Sequence, residues 1–262
     1  MNYPFRLGTT SYIIPADILP NVQYLAGKVR DVELVLFEVN DGPSNLPTPA
    51  QVDELRKFGM VNDLSYTVHL PLDLRLGDGG KGDHLSLEKA RRVIDCTLEL
   101  EPWAYVTHLD GRAILPVDTS SHDVRCWEDQ AVKALELVGN WIGDLQKLAV
   151  ENLEGYPLDL HLNVLERIGV SRTVDVGHLW LDGHDPLDYL RAALPRTKVV
   201  HIHGVNGRDH NSLVHAPAEK LTLLLDELIR FNYTGVVTIE VFSEQDLFTS
   251  LQVLESLAVP KG

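Results

Sequence analysis

The stretch TVDVGHLWLDGHDPLDYLRAALPRTKVVHIH, residues 173–203, decides the architecture. Thr173–Gly177 is short and β-branched, Pro186–Leu194 has apolar residues at helical spacing, and Lys198–His203 is again β-branched. Two apolar strands separated by one helix form a βαβ unit, which requires parallel strands. Both strands carry ionisable residues at or beside their C-terminal ends, Asp175 with His178 and His201 with His203.

The same rhythm runs outward in both directions. Strands are expected at Leu7–Tyr12, Val32–Val39, Tyr66–Leu70, Tyr105–Leu109, Leu148–Leu153, Thr173–Gly177, Lys198–His203 and Gly235–Val241. Helices are expected over Ala16–Val29, Leu87–Leu100, Asp123–Leu145, Leu158–Ile168, Pro186–Leu194, Ala218–Phe231 and Glu244–Leu257. One more starts at Thr48, with Pro49 at its first position and Gln51 three residues past the cap, and ends near Gly59. Eight alternating units in 262 residues predict an α/β fold, a single (β/α)8 TIM barrel covering residues 1–262.

Composition narrows the function. A formal net charge of −15 makes nucleic acid an unlikely partner, because polyanion binding draws on lysines and arginines. No apolar run reaches the ~20 residues of a membrane span, and the first ten residues lack a signal-peptide pattern, so a cytoplasmic protein without membrane contact is expected. Cys96 and Cys126, the only cysteines, share no metal or redox spacing and read as packing residues.

The chemistry lies at the strand ends. Glu38, His69, His108, Glu151, Asp175 with His178, His201, and Glu240 fall at the C-terminal ends of the last seven expected strands. In a parallel barrel those ends converge on one mouth. Burying several carboxylates side by side costs several kcal/mol per charge, and divalent cations remove that cost. Imidazole and carboxylate ligands without thiolate suit zinc or manganese better than calcium. The loop Gly207-Arg-Asp-His210 adds Asp209 and His210, with Arg208 placed to meet a substrate phosphate.

His203 shares a strand face with His201, so either is a candidate ligand, and His215 is a candidate for its outer support. His84, His122, His161 and His184 are expected to face solvent. The Gly-rich stretch Asp73–Asp83 reads as a loop over the mouth, either a flexible connector or a phosphate-contacting loop, and no catalytic part is assigned to it.

These residues resemble the xylose isomerase-like barrel superfamily of sugar isomerases, epimerases and the endonuclease IV type of apurinic endonuclease. The segments that carry the likeness are Thr67-Val-His69-Leu-Pro71, Val106-Thr-His108, Val150-Glu-Asn-Leu153, Val174-Asp-Val-Gly-His178, Val200-His201-Ile and Thr238-Ile-Glu240. The isomerase pattern implies one metal on Glu151, Asp175, His201 and Glu240, with both glutamates moving protons. The endonuclease IV pattern implies up to three ions and adds His69, His108, His178, Asp209 and His210. It places an aspartate two residues before the loop histidine, where this chain has Arg208.

A further resemblance is to the cobamide-remodelling phosphodiesterases of the superfamily. It is carried by Leu7-Gly-Thr-Thr-Ser-Tyr12 with Pro15-Ala-Asp-Ile-Leu-Pro-Asn21, Val32–Glu38, Tyr66–Leu74 and Gly207–His210. It implies hydrolysis of the nucleotide-loop phosphodiester of B12-type corrinoids to cobinamide phosphate and an α-riboside. One to three divalent ions, zinc or manganese, would serve it, with Glu151, Glu240 and Arg208 as catalytic groups. The alternatives are a one-metal isomerase or epimerase acting on a sugar or sugar phosphate, an apurinic endonuclease and a non-catalytic binding protein.

Overall fold

Short β-branched strands separated by amphipathic helices can bury both faces of a parallel sheet only by closing it. The computed structural model describes residues 3–37, 44–116 and 121–258. Its strands are β1 (Arg6–Thr10), β2 (Asp31–Val35), β3 (Ser65–His69), β4 (Tyr105–Thr107), β5 (Leu148–Glu151), β6 (Ser171–Asp175), β7 (Thr197–Ile202) and β8 (Val236–Ile239). They pair in sequence order, all parallel, and β8 closes on β1 through Arg6↔Val236 to Thr9↔Ile239. This is the (β/α)8 TIM barrel expected.

The helices are α1 (Ile18–Leu25), α2 (Pro49–Asn62), α3 (Leu85–Thr97), α4 (His122–Ile142), α5 (Leu162–Arg167), α6 (Val176–Leu181), α7 (Pro186–Ala193), α8 (Ala218–Arg230) and α9 (Glu244–Ala258). The main core lies between this ring and the barrel's outer face. A second cluster, Ala104, Val106, Ala149 and Val199, fills the barrel interior. Val106, Ala149 and Val199 lie two residues before His108, Glu151 and His201, so side-chain alternation points those three into the same interior, one layer higher.

Strands end earlier than expected where polar residues turn into the mouth. β6 stops at Asp175 instead of Gly177, and its next residues coil into α6, which sequence reading missed. The Asp175 side chain accepts the His178 amide at 2.7 Å and so caps that helix. α5 begins at Leu162 instead of Leu158, because residues 157–162 close tight turns through Leu160 N→Pro157 O and Leu162 N→Asp159 O. α1 starts at Ile18, two residues late, because Asn21 Oδ1 accepts the Ile13 and Ile14 amides and holds the preceding chain in a bend.

The Thr48 cap is as read, with Thr48 N donating to Gln51 Oε1 at 2.9 Å and Gln51 N donating to Thr48 Oγ1 at 3.4 Å. The helix nevertheless runs past Gly59 to Asn62, where Asp63 takes the left-handed conformation with φ 52°. Gly59 is therefore no terminator. A Cβ there would sit 2.9 Å from Leu64 O and 3.0 Å from the Tyr66 ring.

Helix propensity alone predicts that Gly59→Ala stabilises the protein by about 1 kcal/mol. Close approach to backbone and to a buried tyrosine reverses the sign, and a loss of about 1–3 kcal/mol is expected from urea unfolding. An increase in the unfolding midpoint would show that the contact relaxes freely.

Candidate metal centre

Four short strands deliver the centre of the site. Asp175 on β6 pairs in register with His201 on β7, while Glu151 ends β5 and Glu240 follows β8 directly. All four are buried. His201 Nδ1 lies 3.3 Å from Glu151 Oε1, 3.1 Å from Glu240 Oε2 and 3.8 Å from Asp175 Oδ2. One ligand atom from each of the four residues lies within 4.8 Å of the others.

Glu151 also faces a second group. Its Oε2 lies 3.6 Å from His69 Nε2 and 3.4 Å from His108 Nε2. The two oxygens of one carboxylate thus face two separate sets of nitrogen ligands. A third group forms around His178, whose Nε2 lies 3.3 Å from Glu154 Oε2 and 4.0 Å from Asp209 Oδ2. His210 joins the others through Nε2, 3.4 Å from Glu240 Oε2.

Each imidazole has its outer nitrogen tied down. His69 Nδ1 donates to Leu70 O at 3.0 Å and His178 Nδ1 to Asn152 O at 3.1 Å. A carbonyl can only accept, so Nδ1 carries the proton and Nε2 presents its lone pair to the site. His108 Nδ1 is held by Asp73 Oδ1 at 3.3 Å, and His201 Nε2 by Glu33 Oε2 at 2.9 Å. Carbonyl or carboxylate support behind each imidazole is the usual outer shell of a metal-binding histidine.

Electrostatics make the same point. Burial depresses an imidazole, yet at His108 it is outweighed by Glu151 and Asp73, which push it up to about 10. At His210 the balance against Glu240 and Asp209 gives about 9. His201 is raised well above the ordinary range despite complete burial, by Glu33, Glu151 and Glu240. Glu151 and Glu240, which burial alone would raise, are held well below the carboxylate range, Glu151 by His201 and His108 and Glu240 by His201 and His210.

A cleft of about 430 Å³ opens above these groups. Its described lining holds five carboxylates, Asp73, Glu151, Glu154, Asp209 and Glu240, and no lysine or arginine. Glu151 Oε2, Asp175 Oδ2 and Glu240 Oε2 are buried without a hydrogen-bond donor. Unpaired buried carboxylate oxygens facing imidazole nitrogens that can give up their protons are a donor set for divalent cations, so the residues present fit the implied metal. A larger groove of about 870 Å³ near Tyr66 and Glu101 lies at the opposite end of the barrel and gathers no such set.

The nine expected metal residues, His69, His108, Glu151, Asp175, His178, His201, Asp209, His210 and Glu240, come together in these overlapping groups. His201, on β7, faces Glu151, Asp175 and Glu240, while His203, just beyond the strand, accepts the His210 amide through Nδ1 at 3.0 Å, lies 3.3 Å from Asp175 through Nε2 and groups with His178 and His210. Gly177 makes room for that ring, since a Cβ there would come within 2.1 Å of it. Arg208 is exposed and lies outside the cleft lining, and His215 is exposed. Glu38 lies outside the described residues.

Two expectations are corrected and two residues are added. Asp73 is no bystander in its loop but the support of His108. His161, expected in solvent, is buried and accepts from Tyr189 Oη at 3.2 Å; burial, helped by Arg172, pushes it down to about 4. Glu33 and Glu154 went unread. Glu33 was visible as a lone acid inside Val32-Glu-Leu-Val-Leu36, where an interior strand position needs a partner.

The chain's overall likeness to solved structures is close in fold and distant in sequence. A D-tagatose 3-epimerase-like protein superposes with a TM-score of 0.76 at 19% identity over 97% of both chains. The IOLI protein with a binding zinc atom gives 0.70 at 13% identity, over 97% of this chain and 98% of that one. Endonuclease IV from Thermus thermophilus gives 0.68 at 18% identity, over 96% and 98%. No curated protein sequence matches significantly. The family model described as xylose isomerase-like TIM barrel matches residues 28–258, and the chain belongs to that family.

Proposed function

We propose that the protein is a metal-dependent phosphodiesterase that hydrolyses the nucleotide-loop phosphodiester of cobamides, giving cobinamide phosphate and an α-riboside. One observation carries the hydrolytic part of the reading: Glu151 presents Oε2 to His69 and His108 and Oε1 to His201. A carboxylate placed between two ligand sets suits two neighbouring cations, the arrangement used for in-line displacement at phosphorus. The corrinoid part rests on the sequence resemblance.

His69, His108 and Glu151 would hold one ion, and Glu151, Asp175, His201 and Glu240 a second, with His178 available to a third together with His203 and His210 or with Glu154 and Asp209. Zinc or manganese fits these nitrogen and oxygen donors. Bound divalent ions supply Lewis acidity that acidifies water and offsets phosphoryl charge. The chain's own part is to orient and to move protons. Glu33 and Asp73 fix His201 and His108, and burial keeps Glu151 and Glu240 in one geometry. Glu240 takes the proton from the attacking water. As the water oxygen bonds to phosphorus, the phosphorus–oxygen bond to the ribose breaks, and the ribose oxygen leaves as the alcohol by taking up the proton that Glu240 gives back through solvent. Arg208, exposed on the loop that carries Asp209, would reach the scissile phosphate once that loop turns toward the mouth.

The second reading is an isomerase or epimerase acting on a sugar or sugar phosphate. Its support is that Glu151, Asp175, His201 and Glu240 form a complete one-metal set without the other histidines. Glu151 and Glu240 would then exchange a proton with a carbon beside a carbonyl. An apurinic endonuclease fits poorly with a chain of net charge −15.

Incubation of the metal-loaded protein with adenosylcobamides, and separately with ketoses, should release cobinamide phosphate and an α-riboside, read by mass spectrometry. His69→Ala and Glu240→Gln should each lower turnover at least 100-fold while leaving the fold intact. Ketose interconversion without corrinoid cleavage would replace the first reading by the second.

Metal uptake should release protons at pH 7. His108 and His210, raised to about 10 and about 9 in the metal-free protein, are charged there and must become neutral to bind. The sign for folding runs the other way. Against an unfolded value near 6.5, these raised groups stabilise the metal-free protein fully below about pH 6.5, and the contribution is lost as pH climbs through about 9 to 10. Calorimetry in buffers of different ionisation enthalpy checks the first statement, and urea unfolding of the metal-free protein from pH 6 to 10 checks the second. A flat stability profile together with no proton release would contradict both.

A further inference from the structure

The geometry points to a subsite for a flat ring on one side of the mouth, formed by Tyr12, Phe37 and Phe242. Its link to a phosphodiester rests on the hydrolytic reading above; the subsite itself does not.

These three aromatics stand on three neighbouring strand ends. Tyr12 follows β1, Phe37 follows β2 and Phe242 follows β8, and β1 pairs with both of the others. Hydrogen bonds beyond the sheet keep the segments side by side. Thr10 Oγ1 donates to Val241 O at 2.6 Å, Ser11 N to Glu33 O at 2.8 Å and Val35 N to Ser11 Oγ at 3.0 Å. Asn45 Nδ2 donates to Val35 O at 3.0 Å and braces the segment that ends in Phe37.

The rings are exposed: Tyr12 is 48%, Phe37 45% and Phe242 39% accessible. Tyr12 and Phe37 meet edge to face with centroids 5.6 Å apart. Phe242 lines the cleft and stands edge-on to His210 at 5.3 Å, which brings the arc to the edge of the metal ligands. Exposed aromatics grouped at one rim mark a binding surface more often than chance.

The opposite rim differs. Over β3, β4 and β5 lie Asp73, Asp110 with Arg112, and Glu154, with Arg112 donating to Asp110 at 2.8 Å through Nε and again through a terminal nitrogen. The mouth therefore carries exposed rings above Glu240 on its β8–β1–β2 side, and charged groups beside Leu153 and Tyr156 on its β3–β5 side. A free sugar offers an aromatic arc only the small C–H patch of one face, whereas a flat heterocycle offers a whole π face. A molecule with a flat heterocycle on one side of the scissile group matches both halves. Stacking tolerates ring identity because every such ring has a π face, so the subsite should accept a range of bases.

Two parts of a cobamide are flat, the base of the α-riboside and the corrin macrocycle, and isothermal titration of the metal-loaded protein with the α-riboside and with cobinamide phosphate tells them apart. Phe37→Ala and Phe242→Ala should each weaken binding of one of these halves about tenfold, the scale of a lost ring stack, while metal content is retained. With an intact cobamide the effect should fall on KM more than on kcat, and Phe242→Tyr should restore it. Binding that both alanine variants leave unchanged, or no measurable binding of either half by the wild type, overturns the subsite. Cobamide cleavage accompanied by that result would leave the hydrolytic reading standing, and ring binding lost in the variants without any cleavage would leave the subsite standing alone.

Discussion

The burial of Glu151 is the constraint on which the site depends. Its carboxylate sits near the barrel axis with almost no solvent contact, between Asp175 and Glu240 on one side and His69 and His108 on the other. Several anions so close together are costly in a medium that screens them poorly. In the metal-free chain the counter-charge comes only from protonated imidazoles, because no lysine or arginine lines the described cleft. Cations would replace those protons, which is why the same residues read as strongly shifted acids and bases and as a ligand set.

Around that constraint the fold supplies rigidity. Interior positions two residues before the ligands are small, among them Val106, Ala149 and Val199, so the layer below the site packs tightly without filling the mouth. The outer nitrogens of His69, His108, His178 and His201 are each held by a carbonyl or a carboxylate, which fixes ring orientation before any ligand arrives. Asp175 faces the ligand set through Oδ2 and caps α6 through Oδ1, so the element carrying His178 is folded by a ligand of the neighbouring group.

Much of this was legible in the chain. Period-two strands with ionisable ends, alternating with helices, were enough for the barrel and for the mouth as the place of chemistry, because strand direction alone brings those ends together. Groups set by tertiary contact were not legible. Glu33 lies 168 positions from the histidine it holds, and Asp73 sits in a Gly-rich loop whose path no periodicity describes. His161 lay in what read as a solvent-facing helix, and its burial follows from turns at residues 157–162 that displace α5. Arg208 was read as a phosphate contact from its place in the Gly207–His210 loop, and that loop exposes it outside the cleft lining.

The two enzymatic readings differ most simply in how many ions the barrel holds. Elemental analysis of protein loaded with zinc or manganese and freed of excess, together with anomalous diffraction from its crystals, reads that number and the positions directly. The account predicts more than one ion per chain, with Glu151 touching two of them. A single ion on Glu151, Asp175, His201 and Glu240, with His69 and His108 free of metal, would contradict it.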